Sequence, residues 1–163
     1  MASDASPTNT SAAARIAALE AAIASAVLGQ EEVIREAVAC LLAGGHALLE
    51  GSPGMGKTLL VKSIAAATGL DFSRIQFTPD LLPADITGTD ILLEGPEGRR
   101  FEFQRGPLFG NVILADEVNR ATPRTQSALI QAMAEQTVST GREQLHLPDP
   151  FVVLATQNPV EME

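Results

Sequence analysis

The spacing of hydrophobic positions predicts helices in four parts of the chain. Apolar residues recur at every third or fourth position from residue 12 onward, at Ile16, Leu19, Ile23 and Val27. A second helix is predicted from about Glu31 to Gly44-Gly45, because glycine commonly ends a helix. Two more are predicted over residues 58–68 and 123–135, the latter with Thr122 as its N-cap.

Short apolar runs between these helices predict the strands of a sheet. Three runs are too short for an ordinary helix and apolar on both faces, namely residues 46–50, 111–117 and 151–158. The run at 72–77 is a weaker candidate for a fourth strand. Because strands alternate with helices, the pattern predicts an α/β fold with a mostly parallel sheet between layers of helices.

Two segments interrupt the alternation and are predicted to be β-hairpin insertions. Residues 90–106 contain two runs around a glycine-rich turn, and Phe101 and Phe103 share one face of the second run. That face either packs on the domain, which we favour for both phenylalanines, or contacts a partner. Residues 137–148 show a similar pattern around Gly141. Residues 1–11 are mostly small or polar without periodicity, which predicts a disordered tail.

Length and charge narrow the class of protein. The 163 residues point to one domain, and a formal net charge of −9 argues against general binding to nucleic acid or an anionic membrane. No apolar run approaches the roughly 18 residues of a membrane span, and the first residues do not resemble a secretory signal. The single cysteine, Cys40, is interpreted as a small buried hydrophobe that needs no oxidising compartment. We therefore expect a cytoplasmic protein with no membrane or nucleic-acid partner.

A glycine-rich segment between a predicted strand and a predicted helix has the pattern of a phosphate-binding loop, G-x-x-x-x-G-K-[ST]. The candidate nucleotide-binding residues here are Gly51, Ser52, Pro53, Gly54, Met55, Gly56, Lys57, Thr58 and Leu59. The glycines allow backbone N–H groups to turn towards phosphate oxygens, and the helix N-terminus adds positive potential. Lys57 supplies a cation for the β- and γ-phosphates, and the Thr58 hydroxyl is a candidate Mg²⁺ ligand.

Polar residues at the ends of two further apolar runs supply candidates for hydrolysis. Asp116 is placed to hold Mg²⁺, directly or through water, and Glu117 to deprotonate a water that attacks the γ-phosphate. The amide of Asn158 can hydrogen-bond that water and the γ-phosphate. The plainer alternatives are an acidic pair that ends a strand and an Asn that forms a turn before Pro159. Because ligands bind beyond the carboxyl ends of parallel strands, we expect all three motifs at one edge of the sheet.

Six longer blocks are similar to the MoxR family of AAA+ ATPases. They are "VLGQEEVIREAV", "LLEGSPGMGKT", "RIQFTPDLLPADITG", "FEFQRGPLF", "LADEVNRATPRTQSALIQAMAEQTV" and "PFVVLATQNPVE". The resemblance runs from about Val27 to the last residue. It implies a P-loop NTPase core with ATP and Mg²⁺ as cofactors. It places Lys57 and Thr58 in Walker A, Asp116 and Glu117 in Walker B, and Asn158 at sensor 1.

The resemblance also implies roles for residues outside these motifs. Three consecutive residues are similar to the segment that contacts adenine: Leu28, Gly29 and Gln30. Gln76 lies where a related residue restrains the Walker B glutamate. The hairpin at 90–106 is similar to the helix-2 insert, and the hairpin at 137–148 to the pre-sensor-1 insert.

For function, the family implies an ATP-driven ring, usually a hexamer, that remodels partner proteins in a chaperone-like way. Its members commonly act with proteins that carry a von Willebrand factor A domain. AAA+ modules continue past sensor 1 to an arginine finger and a lid, so residues 12–163 are expected to be the α/β subdomain, truncated after sensor 1. We expect weak ATPase activity of this chain, with a nucleotide-dependent scaffold that assembles but hydrolyses ATP poorly as the alternative.

Overall fold

The structure is a computed structural model, and it describes residues 11–51, 54–95 and 98–157. Its α-helices are α1 (Ala12–Ala24), α2 (Glu31–Leu42), α3 (Lys57–Thr68), α4 (Pro83–Thr87) and α5 (Pro123–Glu135). Its strands are β1 (Ala47–Glu50), β2 (Phe72–Gln76), β3 (Gly88–Gly95), β4 (Gly98–Arg105), β5 (Val112–Asp116), β6 (Thr137–Ser139), β7 (Gln144–His146) and β8 (Val152–Gln157). Apart from Ser11, the predicted tail lies outside the described residues.

Four of the strands form a parallel sheet with the order β1-β8-β5-β2. β8 pairs in parallel with β1 on one side and with β5 on the other, and β5 pairs in parallel with β2. The carboxyl ends of all four strands therefore lie at one edge. The predicted α/β fold is confirmed, and the weaker candidate at 72–77 is a member of the sheet.

The two central strands, β5 and β8, are buried on both faces, as the apolar runs predicted. Val112 and Leu114 face a core formed with α1, α2 and α3, whereas Ile113 and Ala115 face a second core formed with α4 and α5. Burying one large aliphatic side chain contributes about 1.5–3 kcal/mol. The sheet is thus held between two apolar layers, and its carboxyl edge is left free for polar residues.

The strand predicted at 46–50 differs from this expectation, because only one of its faces is buried. β1 lies at the edge of the sheet, where Leu48 is 50% exposed, while Ala47 and Leu49 pack partly against the first core. A short apolar run indicates a strand but does not distinguish a central strand from an edge strand. The order of the strands decides that.

The helix ends agree with the predictions at α5 but not at α1. The Thr122 side chain caps α5 by accepting a hydrogen bond from the backbone N–H of Thr125. α1 ends at Ala24, although Val27, which continues its pattern, is still buried in the same core. The short helix α4 was not predicted. Among the described residues, no helix is long and apolar enough to cross a membrane.

Both predicted hairpins are present, formed by β3 with β4 and by β6 with β7. Phe103 packs against the second core, with its ring edge-on to Phe109. Phe101 is 52% exposed, and the Arg142 guanidinium of the second hairpin lies 4.4 Å from the centre of its ring. The expectation that both phenylalanines pack on the domain is therefore wrong for Phe101, which lies one pleat further from the hairpin base.

Burial shifts the pKa of two side chains that lie outside the candidate site, Cys40 and His46. Cys40 is half-buried, not fully buried as expected, and desolvation raises the pKa of its thiol. Desolvation lowers the pKa of His46, whose Nδ1 accepts from the backbone N–H of Val153 while Nε2 contacts the carbonyl oxygen of Met133. His46 thus links β8 to α5 as a neutral imidazole, which is a structural role.

Candidate functional site

The predicted phosphate loop lies between β1 and α3, at the carboxyl edge of the sheet. Gly54 and Gly56 have φ angles of 82° and 75°, which is the left-handed region that favours glycine. α3 begins directly after the loop, so the unpaired N–H groups of its first turn lie at the end of the loop. The Lys57 amine donates to the carbonyl oxygen of Gly51 at 2.6 Å. The described part of the loop therefore has the left-handed glycines and the cation that phosphate binding needs.

A pocket of about 390 Å³ lies beside this loop. Its lining combines the loop with the ends of β5 and β8: Gly54, Met55, Gly56, Lys57, Thr58, Leu59, Asp116, Glu117, Thr156 and Gln157. Three segments that are distant in the sequence meet here. This agrees with the expectation that ligands bind beyond the carboxyl ends of parallel strands. The volume is that of a small-molecule site.

Two side chains hold the carboxylate of Asp116. Thr156 donates from Oγ1 to Asp116 Oδ1 at 2.5 Å, and Arg74 pairs through Nη2 with Asp116 Oδ2 at 2.7 Å. Thr156 Oγ1 also accepts a hydrogen bond from the backbone N–H of Glu117 at 2.9 Å. Thr156 is buried, with 1% of its surface exposed. One buried hydroxyl thus positions both acidic residues of the pair.

Glu117 has a backbone conformation that is uncommon for a residue with a side chain. Its φ and ψ of 56° and 48° lie in the left-handed region, at a cost on the order of 1–3 kcal/mol. Its carboxylate oxygen Oε2 accepts from Gln76 Nε2 at 2.9 Å and pairs with Arg120 Nη1 at 3.0 Å. The structure therefore orders Glu117 through both its backbone and its side chain.

A chain of hydrogen bonds on β2 connects the two acidic residues. Arg74 and Gln76 are two positions apart, and Arg74 Nη2 donates to Gln76 Oε1 at 2.8 Å. This contact fixes the amide so that its nitrogen faces Glu117. Gln76 was predicted from the sequence, whereas Arg74 and Thr156 were not. Residues two positions apart on a strand share a face, and this spacing could have indicated both. Arg74 precedes Gln76 by two positions, and Thr156 precedes Asn158 by two.

Thr58 and Asp116 offer the hard oxygen ligands that Mg²⁺ prefers, and both line the pocket. Mg²⁺ is commonly held by one or two protein carboxylates together with substrate phosphates and waters. Within the described ranges, no group of three or more His, Cys, Asp or Glu residues could hold a metal ion. The donors therefore fit Mg²⁺ that binds together with a phosphate-bearing ligand.

The residues predicted to contact adenine are only partly at the site. Gln30 Nε2 donates to the carbonyl oxygen of Met55 at 2.9 Å and lines a second pocket of about 300 Å³ beside the loop. Leu28 is 82% exposed, and neither it nor Gly29 lines either pocket. Three further predicted residues lie outside the described ranges: Ser52, Pro53 and Asn158.

Comparisons with known proteins agree on one family. Residues 46–163 match the model of the ATPase family associated with various cellular activities (AAA). The chain is 50% identical over 137 residues to the uncharacterized protein YeaC of Bacillus subtilis, covering 84% of this chain and 42% of YeaC. It is 47% identical over 154 residues to the chaperone MoxR1 of Mycobacterium tuberculosis, covering 93% of this chain and 40% of MoxR1.

A solved structure shares the fold as well as the sequence. The crystal structure of a presumed ATPase from Cytophaga hutchinsonii superposes with a TM-score of 0.79 at 47% identity, covering 91% of this chain and 44% of that one. The chain thus spans between 40% and 44% of the length of these three proteins. On the evidence of the family model, the identities and the shared fold, the chain belongs to the AAA ATPase family and, within it, to the MoxR family.

Proposed function

We propose that this chain binds ATP with Mg²⁺ and hydrolyses it, as the motor domain of a chaperone-like remodelling protein. The observation that carries the proposal is the pocket in which a glycine-rich loop, a lysine, a threonine and two carboxylates meet. Strand ends bring these groups together from three distant segments. Such a set can bind phosphate, hold a divalent cation and activate water.

Each side chain has a role that its position supports. The loop backbone and Lys57 bind phosphate oxygens, while Thr58 and Asp116 hold Mg²⁺, which neutralises phosphate charge when bound. Glu117 accepts the proton of the attacking water. Gln76 and Arg120 contact the Glu117 carboxylate and so restrain this base. Asn158, outside the described residues, is proposed to orient the same water.

The setting of the activity is proposed from the family. MoxR1 is named a chaperone, and this chain covers 40% of its length. We propose that the protein assembles into a homo-oligomeric ring, a hexamer, in the cytoplasm. It would remodel or mature protein clients together with a protein that carries a von Willebrand factor A domain.

Nucleotide binding and phosphate release, measured separately, test the proposal. Lys57→Ala removes the cation from the loop, so affinity for a fluorescent ATP analogue should fall at least tenfold, or about 1.4 kcal/mol. Glu117→Gln, made in a protein of the full length of its relatives, keeps the size of the side chain but loses the base, so binding should persist while hydrolysis falls by about 10² or more.

Lys62→Ala is the matched control, because Lys62 is also on α3 but its amine lies 5.8 Å from the centre of the Phe72 ring, away from the pocket lining. It should leave both quantities unchanged. Wild-type affinity in Lys57→Ala would refute the loop assignment, and unchanged turnover in Glu117→Gln would remove Glu117 from the reaction.

A further inference from the structure

Arg74 connects two residues of the candidate site without lining the pocket itself. A single nitrogen, Nη2, reaches Asp116 Oδ2 at 2.7 Å and Gln76 Oε1 at 2.8 Å. The Arg74 side chain is 46% exposed, whereas that of Asp116 is 17% exposed. The guanidinium is therefore free to move into water, and nothing in the apolar cores depends on its position.

Both oxygens of Asp116 already have a donor, Thr156 at Oδ1 and Arg74 at Oδ2. A divalent cation that uses this carboxylate must share an oxygen with one of these donors or displace it. Thr156 is buried and also holds the backbone N–H of Glu117. Arg74 is long, half-exposed and carries a like charge to the cation, so it is the donor that yields.

The same guanidinium fixes the orientation of Gln76. Because Arg74 donates to Gln76 Oε1, the amide nitrogen is directed at Glu117 Oε2. A flipped amide would direct Nε2 at Arg74, donor against donor. Movement of Arg74 away from Asp116 therefore removes one of the two contacts that hold the Gln76 amide in this orientation, and the hydrogen bond to Glu117 is weakened.

We propose that Arg74 is a positioning residue that competes with Mg²⁺ for Asp116 and, through the same nitrogen, keeps Gln76 on Glu117. This inference rests on the proposed function. Binding of a cation at Asp116 and restraint of the Glu117 carboxylate then oppose each other. Through Arg74 and Gln76, the binding of a cation at Asp116 changes the hydrogen bonding of the Glu117 carboxylate.

The test is the dependence of nucleotide affinity on Mg²⁺, which requires no turnover. The Kd of a fluorescent ADP analogue is measured in EDTA and in saturating Mg²⁺, for the wild type and for Arg74→Met. Without the guanidinium, Asp116 repels phosphate in EDTA and attracts Mg²⁺ more strongly. The ratio of the two Kd values should therefore rise about fivefold, the size expected for one partly exposed ion pair.

Three further variants make the result specific. Arg74→Lys keeps the charge and should keep a ratio near that of the wild type. Arg99→Met removes another ion pair, at 2.6 Å from Glu94 on the first hairpin, and should leave the ratio unchanged. Arg74→Gln repeats the test with a polar side chain if the methionine disturbs folding, which circular dichroism reports.

The possible outcomes separate the two proposals. A purely structural role of Arg74 would weaken binding equally in both conditions, and the resulting unchanged ratio would overturn the inference about Arg74. An equal rise in Arg99→Met would overturn it too. Absence of Mg²⁺-dependent nucleotide binding in the wild type would instead refute the proposed function, and this inference with it.

Discussion

At the residue scale, a single buried hydroxyl organises the acidic end of β5. Thr156 donates to Asp116 and accepts from the backbone N–H of Glu117, across a gap of about 40 positions in the sequence. The second bond holds a glutamate whose left-handed backbone is unfavourable by itself. Thr156 thus offsets part of the strain that directs Glu117 at the pocket.

Thr156→Val should therefore destabilise the fold. The substitution keeps the shape but leaves the Glu117 N–H and an Asp116 oxygen without this partner, so the free energy of unfolding should fall by about 1–3 kcal/mol. Urea unfolding followed by circular dichroism measures it. Thr156→Ser keeps the hydroxyl and is the control. Equal stability of the Val and Ser variants would show that the two hydrogen bonds do not hold the site.

At the element scale, the backbones of β3 and β4 lie very close together at the base of the first hairpin, around Gly88 and Gly106. A Cβ at Gly88 would clash with the carbonyl oxygen of Gln104 and lie 2.7 Å from the Gly106 nitrogen, and Gly88 has a φ of 104°. A Cβ at Gly106 would meet the backbone of Gly88 in turn. The two glycines let β3 and β4 start side by side, and Phe103 then anchors the hairpin against Phe109.

Gly88→Ala should loosen this hairpin base. Backbone strain of this kind costs on the order of 1–3 kcal/mol, and the clash adds to it. We expect a lower melting temperature and faster proteolysis within residues 88–105. Gly95→Ala, at the other end of β3, is the control, since a Cβ there has open space around it. Similar melting and cleavage of the two variants would contradict this close approach.

The other end of the same hairpin carries exposed charged side chains, which we propose contact a protein partner. Arg99 pairs with Glu94 and Arg100 with Glu102, and all four side chains are more than half exposed. Exposed pairs of this kind add about 0–1 kcal/mol to stability. The charges are therefore available to a protein partner.

Replacing Arg99 and Arg100 together with Ala should keep folding and nucleotide affinity but alter the response to a client. ATPase stimulation by an unfolded model protein such as casein, measured in the full-length protein, gives the readout. Arg15→Ala on α1 is the control for a lost surface charge. Loss of nucleotide binding in the double variant would show that the hairpin serves the nucleotide site instead.

At the scale of the whole molecule, hydrolysis is proposed to depend on residues beyond this pocket. An arginine supplied by a neighbouring subunit is worth roughly 10³–10⁵ in rate in other P-loop enzymes. Arg120, beside the acidic pair, contacts Glu117 of its own chain. Because the chain spans 40% of MoxR1, we propose that the arginine finger belongs to the remaining part of the protein.

We therefore expect these 163 residues to bind ATP but to release phosphate slowly at every protein concentration. A protein of the full length of its relatives should show activity per chain that rises with concentration, as a ring assembles. Steady-state phosphate release over a dilution series measures both. Equal rates for the two would contradict the ring-dependent motor, and low rates for both with ATP bound would favour the scaffold.

Most of the helices and strands, and the candidate motif residues, could be predicted from local patterns in the sequence. Periodicity predicted the helices over 58–68 and 123–135, the doubly buried runs and both hairpins, because it records which faces of a segment are apolar. Spacing also identified Lys57, Asp116 and Glu117, since a phosphate loop and an acidic pair are local patterns. Such patterns involve only a few neighbouring residues, so they can be recognised without the tertiary structure.

Which segments are neighbours could not be predicted from the sequence, because it depends on the order and register of the strands. Strand order left Leu48 exposed on an edge strand, although its run resembles the central ones. It also brought Arg74 to Asp116 and Thr156 to Glu117, contacts between residues about 40 positions apart. Hydrogen-bond partners at that separation depend on the register of paired strands, and no local pattern of hydrophobic and polar residues encodes that register.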